Sequence, residues 1–265
     1  MIGKIGLISI SLATLLSTSV FAAGGAFTMS DADKKMYEEL KENNPAEMEV
    51  EYGSEIFEEA VGGEEVLAEF FEVKPDNLAK YIAGFPRYIE KLEMVVGLDQ
   101  ALQAAMHVNG KKPYKLTGKD MIALSSYTKS LANDMMNQVD IKADKHIAAA
   151  YKLGEEMWYT KRGIRGFSCS DCHDSLESGK GVAGMILRTQ ALPMVSDLSA
   201  NSMGTWPAYR MKNSALTTLQ KRFQQCMNNS MQAKIPEGSK EMVALEVYVA
   251  NMNKNMPIQI PGLKR

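Results

Sequence analysis

One pattern of residues occurs twice in this chain. Phe85-Pro86-Arg87-Tyr88 returns as Trp206-Pro207-Ala208-Tyr209, Leu98 to Met106 returns as Leu219 to Met227, and Met121-Ile122-Ala123-Leu124 with Tyr127 returns as Met242-Val243-Ala244-Leu245 with Tyr248. All three matches share one offset of 121 (206 − 85, 219 − 98, 242 − 121), so no gap separates them. Helical periodicity alone can align apolar positions, but it does not put Pro-x-Tyr in register with them. Upstream, Gly53 with Phe57 matches Gly154 with Trp158 at an offset of 101 (154 − 53). The second copy therefore carries about 20 extra residues between Trp158 and Trp206. Two related domains are expected, 31–138 and 146–262, joined near Gln138 to Lys145.

Strand patterning is nearly absent. Apolar residues at three- and four-residue spacing recur in Leu78 to Ile82, Tyr88 to Val95, Met121 to Leu131, Leu219 to Met227 and Met242 to Met252, which predicts a mainly α protein with long loops. The run from Asp31 to Asn44 is charged and helix-prone, Pro45 interrupts it, and a new helical pattern begins near Met48.

The N-terminal stretch reads as an export signal, 1–22. Lys4 is followed by an apolar stretch from Ile5 to Leu16, then by small residues at Val20, Ala22 and Ala23, with cleavage expected after Ala22. The apolar stretch is too short and too interrupted to span a bilayer, and Gly24-Gly25 follows it. A soluble exported protein is expected, in a compartment where disulfides form. The 265 residues carry 30 basic and 32 acidic side chains. No general basic field exists to hold a nucleic-acid backbone. Three cysteines cannot make a disulfide scaffold, and at least one thiol needs another use.

Cys169-Ser170-Asp171-Cys172-His173 is the CxxCH pattern of covalent haem attachment. Two thiols three residues apart each add to one vinyl group of the same porphyrin, and the His after them lies beneath the iron as proximal ligand. A zinc half-site needs further ligands, and only His107, His146 and Cys226 are left over. A thioredoxin-like redox pair needs a βαβ context that the helical pattern does not supply. The motif points to one covalent haem c.

The other axial ligand must come from elsewhere. Among 19 methionines the candidates include Met185, Met194, Met203, Met211 and Met227. The odd thiol competes with them. Leu219, Phe223 and Cys226 occupy i, i+4 and i+7 of one helical segment, so the thiol is expected to face inward with the apolar residues. A buried inert Cys is the plainer alternative. In the first copy, the positions matching CxxCH are Ala68 to Glu72, and the position matching Cys226 is Ala105. That copy lacks haem anchor and odd thiol together, as expected if both serve one iron. Arg222 lies one helical turn before Cys226. A guanidinium there favours thiolate over thiol and offers paired donors to an oxyanion; a solvated helix Arg beside Lys221 is the alternative. His107, His146, Lys111-Lys112 and the Lys264-Arg265 tail read as surface residues.

The ordered set CxxCH, Trp206-Pro207-Ala208-Tyr209-Arg210, Arg222-Phe223-Gln224-Gln225-Cys226-Met227 and Met242 to Val249 resembles the SoxA subunit of the SoxAX cytochromes. The resemblance runs from about Asn44 to Gly262. It implies that Cys169 and Cys172 bind haem, that His173 and Cys226 are the axial iron ligands, that Cys226 is the catalytic sulfur, often a persulfide in the family, and that Arg222 binds substrate. The implied activity is oxidative joining of thiosulfate to a cysteine of the SoxYZ carrier in the periplasm, with electrons passing to a monohaem SoxX subunit. Many family members carry a second haem in the first domain. This chain has no Cys before residue 169, so its first domain is expected to be haem-free. Two other readings are a thiosulfate dehydrogenase forming tetrathionate, and a plain electron-transfer cytochrome with a Met ligand and an inert Cys226.

Overall fold

A computed structural model describes residues 31–173 and 203–264. The expected signal peptide, Met185 and Met194 lie outside the described residues, as does most of the extra segment of the second copy. After α1 (Asp31–Glu42), the first set of elements is α2 (Glu47–Val61), α3 (Gly63–Phe70), α4 (Leu78–Ile82), a hairpin of β1 (Arg87–Ile89) and β2 (Met94–Val96), α5 (Leu98–Val108) and α6 (Lys119–Ser130). The second set is α7 (Lys145–Tyr159), α8 (Ser170–His173), a hairpin of β3 (Ala208–Arg210) and β4 (Ala215–Thr217), α9 (Leu219–Asn229) and α10 (Lys240–Met252), followed by β5 (Gly262–Lys264).

The hairpins and the two helices after them recur at the offset of 121. Glu93 and Ser214 take the same left-handed conformation, with φ of 52° and 48°. Phe85–Pro86 and Trp206–Pro207 are both cis. The offset of 101 has a steric counterpart. A Cβ on Gly53 of α2 would strike the Ala123 carbonyl and Tyr127 of α6, and a Cβ on Gly154 of α7 would strike the Ala244 carbonyl and Tyr248 of α10. Each half thus pairs its first long helix with its last at backbone contact, which only glycine permits.

One expectation fails. Tyr88 to Val95 has helical spacing, yet these residues form the β1–β2 hairpin, with Tyr88 opposite Val95 and Ile89 opposite Met94. Short apolar runs are ambiguous in period, and the β-branched Ile89, Val95 and Val96 after a proline suit a strand. The second sheet is ordered β4-β3-β5, with β5 parallel to β3. His146, expected at the surface, is exposed there near the start of α7 and stacks on Tyr88 with ring centroids 4.2 Å apart.

Two further links tie the halves. The C-terminal strap buries Ile258 and Ile260 in the first core and exchanges two hydrogen bonds with Asn133, each 2.8 Å. Between the halves lies a buried polar group built from equivalent positions. Asp99 of α5 accepts a short bond from Ser125 of α6; the residues 121 positions on are Gln220 of α9 and Glu246 of α10, where the amide donates to the carboxylate at 2.7 Å. Lys129 of α6 lies between the two acids and donates to the carbonyls of Met203 (2.5 Å) and Trp206 (2.7 Å). These side chains line a cavity of ≈ 30 Å³, room for about two waters.

Burial pushes Glu246 up to about 7, opposed by the Gln220 bond and Lys129. Burial pulls Lys129 down to about 8, opposed by Glu246 and Asp99, and burial raises Asp99. An acid raised in the folded state stabilises fully below its ordinary value, here 4.5, and that contribution is lost as pH climbs to about 7. Urea unfolding is therefore expected to show stability falling between pH 5 and pH 7.5, and Glu246→Gln to remove most of the slope. Lys129→Ala, which leaves a carboxylate buried without its cation, is expected to lose about 3–5 kcal/mol in the same measurement.

Candidate haem and thiol site

The haem-attachment motif sits on a short capped turn. Ser168 Oγ accepts from the Asp171 amide at 3.2 Å, and the Asp171 carboxylate accepts from the Ser168 amide at 2.8 Å. This reciprocal pair is a capping box. It starts α8, which brings Cys169, Cys172 and His173 onto one turn, where the His173 amide donates to the Cys169 carbonyl at 3.1 Å. The His173 ring lies 5.8 Å from Trp158 of α7, and Trp158 packs on Tyr248 at 5.7 Å. Cys169 packs against the second core with Phe223.

Cys226 lies on α9, whose Phe223 packs on the same core as Cys169. Thr218 caps that helix by accepting from the Lys221 amide at 3.2 Å, and Ser230 Oγ donates to the Cys226 carbonyl at 2.9 Å near its end. The chain then turns back on the motif. Gln232 Nε2 donates to the Phe167 carbonyl at 2.7 Å, and Gly163 lies so close to the Met231 carbonyl that a Cβ there would collide. The loop after α9 therefore packs on the loop that enters CxxCH.

Cys226 is half-buried, not turned fully inward as its spacing suggested; Leu219, Gln220 and Met227 are the buried residues of α9. The thiol lies at the border of the apolar face. Of the methionine candidates, Met203 and Met227 are core residues, 4% and 3% exposed, and Met211 is half-buried in the β3–β4 turn. Arg222 is half-buried one turn before Cys226. His107 is exposed at the end of α5, as expected.

Three residues carried no signal in the periodicity. Arg210, at the end of β3, is held down in pKa by burial and then by Arg222, while Cys226 raises it. Lys264 was expected in a solvated tail; it lies in β5, directly opposite Arg210, and burial, then Arg210, pulls it down to about 8. Arg162 has its Nε and Nη2 buried without a hydrogen-bond partner among the described residues. Comparing the copies flags Arg210, whose counterpart is Ile89. Lys264 lies beyond the matched positions, so nothing in the repeat could mark it.

A CxxCH turn docked on a helical core defines a c-type cytochrome. Among the described residues no group of three or more His, Cys, Asp or Glu is placed to hold another metal. No family model matches the chain. It is 27% identical over 241 residues to the L-cysteine S-thiosulfotransferase subunit SoxA of Chlorobaculum thiosulfatiphilum, covering 91% of this chain and 79% of that protein. A subunit of the same name from Hydrogenobacter thermophilus is 27% identical over 273 residues, 99% of each chain. Another from that organism is 30% identical over 184 residues, 68% of each. The crystal structure of SoxXA from P. pantotrophus shares the fold, with a TM-score of 0.68 at 21% identity over 87% of this chain and 84% of that one. The chain belongs to the SoxA family of L-cysteine S-thiosulfotransferase subunits.

Because all three thiols are half-buried, protein prepared without haem is expected to alkylate with iodoacetamide at Cys169, Cys172 and Cys226 before it unfolds. Intact-mass spectrometry counts the adducts; a Cys226 that reacts only in denaturant refutes its accessible placement.

Proposed function

We propose that this chain is the haem-bearing catalytic subunit of an L-cysteine S-thiosulfotransferase, joining thiosulfate oxidatively to a cysteine of a SoxYZ-type carrier protein. One observation carries the reading: the lone thiol, the arginines beside it and the haem-attachment cysteines belong to one half, while the positions that match them in the other half are apolar and buried. The positions matching Cys169, Cys172 and Cys226 are Ala68, Phe71 and Ala105, exposed by 0%, 4% and 3%. This supports two domains, 31–138 and 146–262, related by duplication, with one haem c in the second.

The residues present fit that group. Cys169 and Cys172 share one turn and would attach it through thioethers, His173 and Cys226 would hold its iron, and the buried Arg162 nitrogens without partners among the described residues would suit an anionic porphyrin edge. Haem bound there supplies one-electron exchange. The Arg222 guanidinium is a planar fork that matches a sulfonate. It holds thiosulfate so that the outer sulfur meets the half-exposed Cys226 sulfur, where thiol–disulfide exchange chemistry applies.

In the net reaction the carrier thiolate RS⁻ and thiosulfate ⁻S–SO₃⁻ form RS–S–SO₃⁻, one S–S bond is made, and two electrons leave. A single iron accepts one electron at a time, so a second acceptor is needed, and a SoxX-type monohaem cytochrome suits that role. The family is periplasmic, and no helix among the described residues is long and apolar enough to cross a membrane. A signal cleaved after Ala22 accounts for export.

Two variants of the holoprotein test the reading. Arg222→Ala is expected to lower carrier modification about 10- to 100-fold with the haem spectrum intact. Cys226→Ala is expected to abolish the adduct on the carrier cysteine and to change the electron paramagnetic resonance signature of the axial ligands. Tetrathionate in place of the carrier adduct supports thiosulfate dehydrogenase. An unchanged resonance signature in Cys226→Ala removes that sulfur from the iron and supports a plain electron carrier.

A further inference from the structure

Two arginines from separate elements, Arg222 and Arg210, lie near Cys226, and Lys264 from a third element lies opposite Arg210. Arg222 lies on α9, one turn before the thiol. Arg210 ends β3, the central strand of its sheet, facing Ala215 of β4 on one side and Lys264 of β5 on the other. The Arg210 guanidinium lies close enough to Arg222 and to Cys226 to be influenced by both, and its Nε is buried with no hydrogen-bond partner among the described residues.

This arrangement opposes folding. Like charges directly opposite each other on neighbouring strands repel, and a buried guanidinium nitrogen without an acceptor forgoes its hydration. The first half avoids the same arrangement: the positions matching Arg210, Arg222 and Cys226 are Ile89, Ala101 and Ala105, exposed by 4%, 0% and 3%. Two arginines near the thiol, one with a buried Nε that lacks a partner among the described residues, stand where the other half is apolar, and an anion bound between them explains the difference.

We propose that Arg210, backed by Lys264 across the β3–β5 ladder, is a second substrate-binding residue that grips the sulfonate end of thiosulfate together with Arg222. This rests on the function proposed above and names the other side of the same oxyanion pocket. Two guanidinium groups share the three sulfonate oxygens, which leaves the uncoordinated outer sulfur directed at Cys226. The pocket then selects small oxyanions with a terminal sulfur.

The test uses the haem-loaded subunit with its partner cytochrome. Initial rates against thiosulfate with the carrier, and equilibrium thiosulfate binding by calorimetry without it, are measured for wild type, Arg210→Gln, Arg210→Lys and Lys212→Gln. Lys212 is an exposed cation in the adjoining turn and reports on general charge alone. Arg210→Gln is expected to raise KM and Kd together about 10- to 100-fold, with kcat within about threefold of wild type. Arg210→Lys is expected to recover most of the binding, and Lys212→Gln to behave as wild type. Wild-type KM and Kd in Arg210→Gln overturn the proposal. So does a shifted haem reduction potential with unchanged binding, which would assign the cations to a porphyrin carboxylate. If wild type binds thiosulfate in an Arg210-dependent manner yet never modifies the carrier, the anion pocket stands and the functional reading fails.

Discussion

The placement of Lys129 governs how the two halves meet. Its ammonium is buried between two acids from different halves and grips the Met203 and Trp206 carbonyls. Those carbonyls immediately precede β3, so the same cation that joins the halves anchors the strand that ends in Arg210. A buried charge is stable only when its partners are held in place, and here they come from α5, α10 and the segment leading into β3. The half that carries CxxCH is thereby positioned by an electrostatic contact with the half that lacks the motif.

The two halves use one scaffold for different ends. The close helix pair at Gly53 and at Gly154, the hairpin, and the two helices after it are held in common. Where the scaffold is common, residues match in size and polarity. Where the chemistry is, the match breaks: Ile89 against Arg210, Ala101 against Arg222, Ala105 against Cys226. Buried Ile and Ala fill space and add stability. Cations and a half-exposed thiol give up that packing, which the proposed meeting of an anion with the Cys226 sulfur accounts for. The polar group between the halves shows a subtler exchange, since acid and neutral partner swap helices between Asp99–Ser125 and Gln220–Glu246.

Much of the site is legible along the chain because local spacing encodes it. CxxCH needs one helical turn, and Ser168 to Asp171 supplies the cap that makes one. Arg222 and Cys226 are four residues apart, one turn of α9. The thiol's exposure is not encoded there, because a seven-residue spacing says which side of a helix a residue takes, but not where the neighbouring core ends. Spacing alone misleads at Tyr88 to Val95 because five apolar positions in eight residues fit either period until a partner strand is known.

The sequence by itself determined the repeat, the helical character, the haem turn and the odd thiol, since each depends on residues within a few turns of one another or on a register preserved between copies. Only the tertiary structure decided that Lys264 stands opposite Arg210, that the C-terminal strap crosses the first core, and that Lys129 lies between Asp99 and Glu246. Those contacts join positions far apart in the chain. Their energies come from desolvation and from charges meeting across elements, which no local pattern of residues records.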